Sequence, residues 1–137
     1  MDDSHVMGGG QGLGDLAAEL DDLNGRQTAA EAGDAEGLAL WRGGMRALAA
    51  CPNVAVKISG LGMVDHRWTV DTIRPFVLET IEMFGTDRCL FASNFPVDSL
   101  FSDYATLWRA FATITEGFSA AERTALFHDN AVRLYRL

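Results

Sequence analysis

The stretch Asn53–Asp98 constrains this chain more than any other. It reads as strand, loop, helix, strand, loop. The parts are Asn53-Val-Ala-Val-Lys-Ile-Ser-Gly60, a polar loop Leu61–Thr69, an apolar-striped segment Ile73–Phe84, and Arg88-Cys-Leu-Phe-Ala-Ser-Asn-Phe-Pro-Val-Asp98. Two short apolar strands with a helix between them predict a right-handed parallel βαβ unit. In the first strand, Val54, Val56 and Ile58 point one way, and Ala55, Lys57 and Ser59 point the other. In the second, Cys89, Phe91 and Ser93 oppose Leu90, Ala92 and Asn94. If helices cover the β-branched face, Lys57 faces the opposite side. That side is solvent or a second helix layer in an open sheet, and the interior in a barrel.

The flanking segments read as helices. Asp34 suits the N-cap of a helix near 35–50, with Leu38, Trp41, Met45 and Leu48 on one face and Arg42 and Arg46 off it. Cys51-Pro52 stops that helix. Pro75 falls near the start of the next one, and Gly85 suits the left-handed position that ends it. Ser102 or Asp103 caps a helix through Glu116 that buries Tyr104, Leu107, Trp108, Phe111 and Ile114. Ser119-Ala-Ala-Glu122 is a capping box, and Asn130 is placed to cap a last short helix ending at Leu137.

The charge divides the chain. Residues 1–37 hold nine acids and one base, Arg26, whereas residues 38–137 hold ten of each. The expectation is an acidic, Gly-rich leader over 1–33, partly disordered or helical (15–23 and Thr28–Ala32), before a neutral domain over 34–137. A neutral body with an acidic arm argues against nucleic-acid and membrane partners. Gly12-x-Gly14-x-x-Ala17 matches a loose dinucleotide fingerprint, but no strand precedes it, so it reads as leader. No apolar run is long enough to span a bilayer, and Met-Asp-Asp-Ser-His lacks signal-peptide character, which makes cytoplasmic the expected location. Cys51 and Cys89 share no metal-type spacing and read as reduced structural thiols. No metal-ligating cluster is visible.

Three stretches carry a resemblance: Asn53-Val-Ala-Val-Lys-Ile-Ser-Gly-Leu-Gly62, Phe84-Gly-Thr-Asp-Arg-Cys-Leu-Phe-Ala-Ser-Asn-Phe-Pro-Val-Asp98 and Asn130-Ala-Val-Arg-Leu-Tyr135. Over residues 34–137 the chain resembles the C-terminal end of amidohydrolase-2 family proteins, TIM-barrel hydrolases that include lactonases and related decarboxylases. The resemblance implies an α/β fold: the last two strands and helices of a (β/α)8 barrel, preceded by the leader. Such barrels place active sites at the C-terminal ends of their strands. The family's first-strand His-x-His has no counterpart here: His5 lies in unmatched sequence, His66 in a loop, and His128 near a helix start. The family often binds a divalent metal such as zinc, and the sequence leaves open whether this chain does. The family's common strand-eight aspartate is Asn94 here. A branch of the family carries Asn, then Phe or Trp, then Pro-Val-Asp, and this pattern fits it.

These points give the candidate site. Asn94 and Asp98 are the catalytic candidates: Asn94 would orient substrate or water, and Asp98 would supply a carboxylate base; their bland readings are a cap on the strand-end turn for Asn94, and a helix cap or solvated charge for Asp98. Lys57, Ser59, His66 and Trp68 are the substrate-binding candidates. Lys57 would hold a negative group, or else lie along an exposed sheet face. His66 is otherwise a plain surface histidine, and Trp68 a loop anchor. The expected function is hydrolysis of a lactone, ester or amide-like bond in a small carboxylated substrate, with the chain expected to be incomplete for that chemistry. The alternative is a non-catalytic, truncated fragment that self-associates, as a homo-oligomer, through exposed strand edges.

Overall fold

A computed structural model describes residues 35–137. His5, the Gly12–Ala17 fingerprint, the helical readings over 15–23 and Thr28–Ala32, and the Asp34 cap lie outside those residues. Helix α1 (Ala35–Ala49) leads to strand β1 (Val56–Ile58), helix α2 (Val70–Phe84), strand β2 (Cys89–Phe91) and helix α3 (Tyr104–Ile114). A terminal helix follows from Ala120 to Tyr135.

β1 and β2 pair in parallel, as the βαβ pattern predicts, with Val56 opposite Cys89, Lys57 opposite Leu90 and Ile58 opposite Phe91. Each strand is three residues long, shorter than its apolar run. Single backbone bonds continue the ladder beyond them, Val56 N–H to Arg88 O at 2.8 Å and Ala92 N–H to Ile58 O at 3.0 Å. Ile58, Cys89 and Phe91 pack with Ile73, Val77, Ile81 and Phe84 of α2 and with Leu107, Phe111 and Ile114 of α3. Phe91 stacks on Phe111 at 4.3 Å between ring centroids, a contact that adds about 0.5–1.5 kcal/mol beyond its buried area. The helices therefore cover the Val56/Ile58 face. Lys57 is exposed on the other, as alternation requires.

α2 starts at Val70, three residues before the apolar stripe suggests. Thr69 Oγ1 accepts from Thr72 N–H at 3.2 Å and Thr72 Oγ1 accepts from Thr69 N–H at 2.9 Å, a capping box with threonine in the usual Glu/Gln place. Pro75 consequently lies inside the helix rather than at its start. Gly85 ends α2 at φ 81° and ψ 157°, a positive φ but not the left-handed helical conformation.

The buried stripe of α1 is shifted from the sequence reading. Leu48 is 50% exposed, and Ala49 takes its place against the core. Arg42 belongs to the contact face: its Nε and Nη2 donate to the two carboxylate oxygens of Glu79 on α2, each at 2.6 Å. Glu79's carboxyl is held below its ordinary range, mainly by those hydrogen bonds. Trp41 meets Phe76 edge-on at 5.3 Å.

α3 ends at Ile114, short of Glu116, and is capped by Asp103, whose carboxylate accepts from Thr106 N–H at 2.8 Å. Tyr104 is 54% exposed rather than buried, although its ring packs edge-on against Phe95 at 5.3 Å. The Ser119/Glu122 capping box forms as read. The helix it starts then runs unbroken through α4 (Ala120–Thr124), a π-helical segment (Ala125–Asp129) that contains His128, and α5 (Asn130–Tyr135).

Asn130 therefore caps nothing. Its buried amide donates to Thr86 O at 2.6 Å and Cys89 O at 2.7 Å, tying the terminal helix to the start of β2. Arg88 does the same on the other side. It donates to Phe84 O, Cys51 O, Val54 O and Ala49 O at 2.9–3.1 Å, gathering the ends of α1 and α2 around β2. Cys51 and Cys89 are both free thiols, exposed and buried respectively, and burial pushes the Cys89 thiol up to about 12. Among the described residues no helix is long and apolar enough to cross a membrane.

Candidate functional site

The two parallel strands deliver two loops to the same end of the sheet: Ser59–Thr69 after β1, and Ala92–Asp103 after β2. Each loop contains a short 3-10 turn, Leu61–Met63 in the first and Val97–Leu100 in the second. The loops interlock. Gly62 is buried, and a Cβ on it would lie 3.3 Å from the Phe101 ring and from Trp68 Nε1. His66 stacks on Phe101 at 4.2 Å with the rings 7° from parallel.

Asn94 stands at the centre of this junction. It adopts φ 55°, in the left-handed region that asparagine tolerates better than most residues. That turn ends the strand alternation, so the amide folds across toward the first loop. Its Nδ2 donates to Asp98 Oδ1 at 2.8 Å and lies 3.1 Å from Met63 Sδ. Gly60, at φ 72°, closes the other side: a Cβ there would sit 3.5 Å from Asn94 Nδ2.

Asp98 is not the solvated charge or helix cap of the bland reading. It lies in the 3-10 turn, is 3% exposed, and Asp103 caps α3 instead. A carboxylate taken out of water needs donors, and the Asn94 amide supplies one. This gives a physical reason for asparagine, rather than aspartate, at position 94. A second carboxylate at 94 would face Asp98 within about 3 Å, and like charges that close disfavour joint ionisation.

The structure thus brings Asn94 and Asp98 into contact. It places His66 and Trp68 in the loop that packs against them. Trp68 is half-buried against the core, as an anchor would be, while His66 is exposed. Ser59 is half-buried just beyond β1. The exposed Lys57 side chain, within β1, makes no hydrogen bond or ion pair with the described residues, the Asn94–Asp98 pair included. Gly60, Met63 and Phe101, which hold the junction together, were not singled out from sequence. A glycine directly after a strand, which often marks a close approach, is the sequence signal that could have marked Gly60; Met63 and Phe101 carry none.

The donor set does not suit a metal ion by itself. Among the described residues no group of three His, Cys, Asp or Glu side chains converges, and Asp98 already shares an oxygen with the Asn94 amide. No step below is routed through a metal. Away from this junction, an open groove of about 680 Å³ runs between α1 and α2, lined by Arg42, Arg46, Glu79 and Glu82; it contains none of the site candidates.

Comparison with known proteins places this geometry. The family model described as amidohydrolase matches residues 23–137, starting earlier than the resemblance read from residue 34. The uncharacterized protein y4mH of Sinorhizobium fredii is 61% identical over 97 residues, which is 71% of this chain and 33% of that protein. An L-fucono-1,5-lactonase of Burkholderia multivorans is 34% identical over 112 residues, 76% of this chain and 38% of the lactonase. The chain thus spans between a third and two-fifths of the length of these relatives. A crystal structure of a Burkholderia multivorans amidohydrolase with bound HEPES superposes with a TM-score of 0.74 at 33% identity, covering 80% of this chain and 41% of the other. A second crystal form of that amidohydrolase, with bound zinc, gives 0.70 at 34% identity over 74% and 38%. The α/β fold matches these amidohydrolases over about three-quarters or more of the chain.

Proposed function

We propose a function from one premise that the comparisons establish: the chain belongs to the amidohydrolase family. β1 and β2 are adjacent strands near the end of the family's barrel, and the interlocked loops form one sector of its active-site face. The reaction is lactonase-type hydrolysis: water attacks the carbonyl of a small cyclic ester, and the ring C–O bond breaks.

The observation that carries this reading is the buried Asp98 hydrogen-bonded to Asn94 at the C-terminal end of a parallel strand. Asp98 takes the proton of the attacking water and returns it to the ring oxygen as the C–O bond breaks, giving the open hydroxy acid, and Asn94 fixes the carboxylate's orientation. General-base assistance of this kind contributes about 10²–10⁴-fold. Lys57, on the face turned away from the helices, would hold a carboxylate of the substrate; Ser59, His66 and Trp68 would shape its surroundings. The matched lactonase acts on L-fucono-1,5-lactone by its name, and a sugar 1,5-lactone is accordingly the substrate class to test first.

The test is hydrolysis of sugar 1,5-lactones by the purified chain, followed by acid release against the spontaneous rate. Lactone opening that falls at least tenfold in both Asp98→Ala and Asn94→Ala, with the fold retained, supports the reading. Turnover unaffected by both refutes the assigned roles.

A second reading has its own observation. The sheet has two strands among the described residues, and its outer edges have no strand partner there. Unpaired parallel edges recruit other strands, so a non-catalytic, self-associating protein is the alternative. A monodisperse monomer on size-exclusion chromatography that unfolds cooperatively counts against it.

A further inference from the structure

We infer that the Asn94 amide has a fixed polarity, with its oxygen turned to the open side of the site as an acceptor, and that Met63 is the positioning residue that sets it. This deepens the proposal above and rests on its reading of Asn94 and Asp98 as the working pair. A primary amide carries two N–H donors on one end and a single acceptor oxygen on the other. Both donors are engaged here. One points to Asp98 Oδ1 at 2.8 Å, and the other end of the same NH2 faces Met63 Sδ at 3.1 Å. Turning the amide over would set its oxygen against a carboxylate oxygen and a thioether sulfur, three acceptors with no proton among them. The chemistry of the neighbours therefore fixes which end points where.

The loop geometry makes this arrangement close-fitting. Gly60 brings the first loop's backbone up to the amide: a Cβ there would be in ordinary van der Waals contact with Asn94 Nδ2 at 3.5 Å and lie 4.0 Å from Met63 Sδ, so it is the φ of 72° rather than space that favours glycine. Met63 itself is 53% exposed, so its sulfur reaches inward while part of its side chain faces solvent. The atom left to meet a ligand is Asn94 Oδ1, an acceptor. A group that docks on it must bring an O–H: a hydroxyl of a polyhydroxylated substrate, or the attacking water. A carbonyl or oxyanion oxygen finds no donor on Asn94, so this residue does not serve as an oxyanion hole.

The test reads the amide directly and needs no turnover. The chain has four asparagines, so asparagine-selective 15N labelling resolves the Asn94 side-chain pair, assigned by its loss in Asn94→Ala. The probes are a polyhydroxylated 1,5-lactam, a stable isostere of the sugar lactone, and unsubstituted 2-piperidone. The inference expects Met63→Leu, which keeps the side-chain volume and the urea midpoint, to shift one Nδ2 proton and leave the Asp98-facing one in place. If the hydroxylated lactam perturbs the pair more than piperidone does, the O–H donor is a substrate hydroxyl; equal perturbation by both makes it water. Two results overturn the inference. One is a pair of Asn94 protons unmoved by Met63→Leu, and the other is a pair averaged by rotation in the unsubstituted chain. A fixed, Met63-dependent amide in a chain without lactonase turnover would instead refute the hydrolytic proposal and leave the polarity standing.

Discussion

Asn130→Ala is the substitution for which the structure gives the most definite cost. Arg88 O accepts from Val56 of β1, and Ala92 N–H donates to Ile58 O. In a parallel ladder successive carbonyls alternate sides, so the carbonyl of Cys89 points away from β1. Asn130, 41 residues along, satisfies it at 2.7 Å, and satisfies Thr86 O in the preceding turn at 2.6 Å. Alanine removes both donors and supplies nothing in return. A buried acceptor left unpaired costs about 1–3 kcal/mol, and water reaches the turn carbonyl more easily than the strand one, so the expected loss is about 2–4 kcal/mol. With a urea slope near 2 kcal/mol/M, the unfolding midpoint should fall by about 1–2 M. Tryptophan fluorescence suits the measurement, because Trp41, Trp68 and Trp108 report from α1, the first site loop and α3. Asn130→Asp separates the mechanism from simple loss of packing. It keeps the shape but aims carboxylate oxygens at two carbonyls, and should be less stable than Asn130→Ala at neutral pH. A drop below about 0.5 kcal/mol in Asn130→Ala, the range of an ordinary surface substitution, would refute the claim that this amide joins the terminal helix to β2.

Three further outcomes are expected. Arg88→Lys should destabilise the chain by at least about 1 kcal/mol in the same urea assay, because one ammonium cannot serve the four carbonyls that the guanidinium fork reaches. Glu79→Gln should cost stability at neutral pH and progressively less in acid. The folded-state carboxyl lies below its ordinary value, so its contribution is present above the unfolded pKa of about 4.3 and disappears as pH falls through the folded one; urea midpoints of both proteins at pH 7 and pH 3 check the sign. Alkylation of the native chain should modify Cys51 and spare Cys89, whose burial holds it as the thiol up to about pH 12; mass spectrometry of the digested protein reads the two sites, and prompt labelling of Cys89 would refute its burial.

The elements that could be read in the sequence are those whose cause is local. The period-2 runs mark two strands and the Ser119/Glu122 box marks the start of the terminal helix, because the residues responsible lie within a turn or two of one another; the parallel pairing follows from the helix between the strands. The Thr69/Thr72 box is equally local, yet it uses a threonine where the familiar signal has a longer acid or amide. The apolar stripe by itself therefore places the start of α2 three residues late.

What the sequence hid is of another kind. Arg42 to Glu79, Arg88 to Ala49 and Asn130 to Cys89 join groups 37, 39 and 41 residues apart. Each looks like a surface polar residue or a local cap until the strands are paired. The candidate site divides the same way. Lys57's face followed from alternation within three residues. Asn94's contacts did not, because the strand pattern stops where its φ turns positive. Its partners are a buried aspartate four residues on and a methionine 31 residues back. The same left-handed turn that ends β2 is what swings the amide between the two loops. The residue at 94 must therefore accept that backbone and also supply a donor to Asp98. Asparagine satisfies both demands, whereas aspartate satisfies the first and fails the second. Asn94→Asp should on this reasoning keep the turn but set two carboxyls against each other, raising the pKa of one of them in the folded state. A group raised in this way stabilises the fold at low pH and loses that contribution as pH rises through its folded-state pKa, so the variant should be weakest near neutrality and recover in acid. A variant whose deficit relative to the unsubstituted chain is the same at pH 4 and pH 7 would show that Asp98 does not depend on its neighbour for a proton donor.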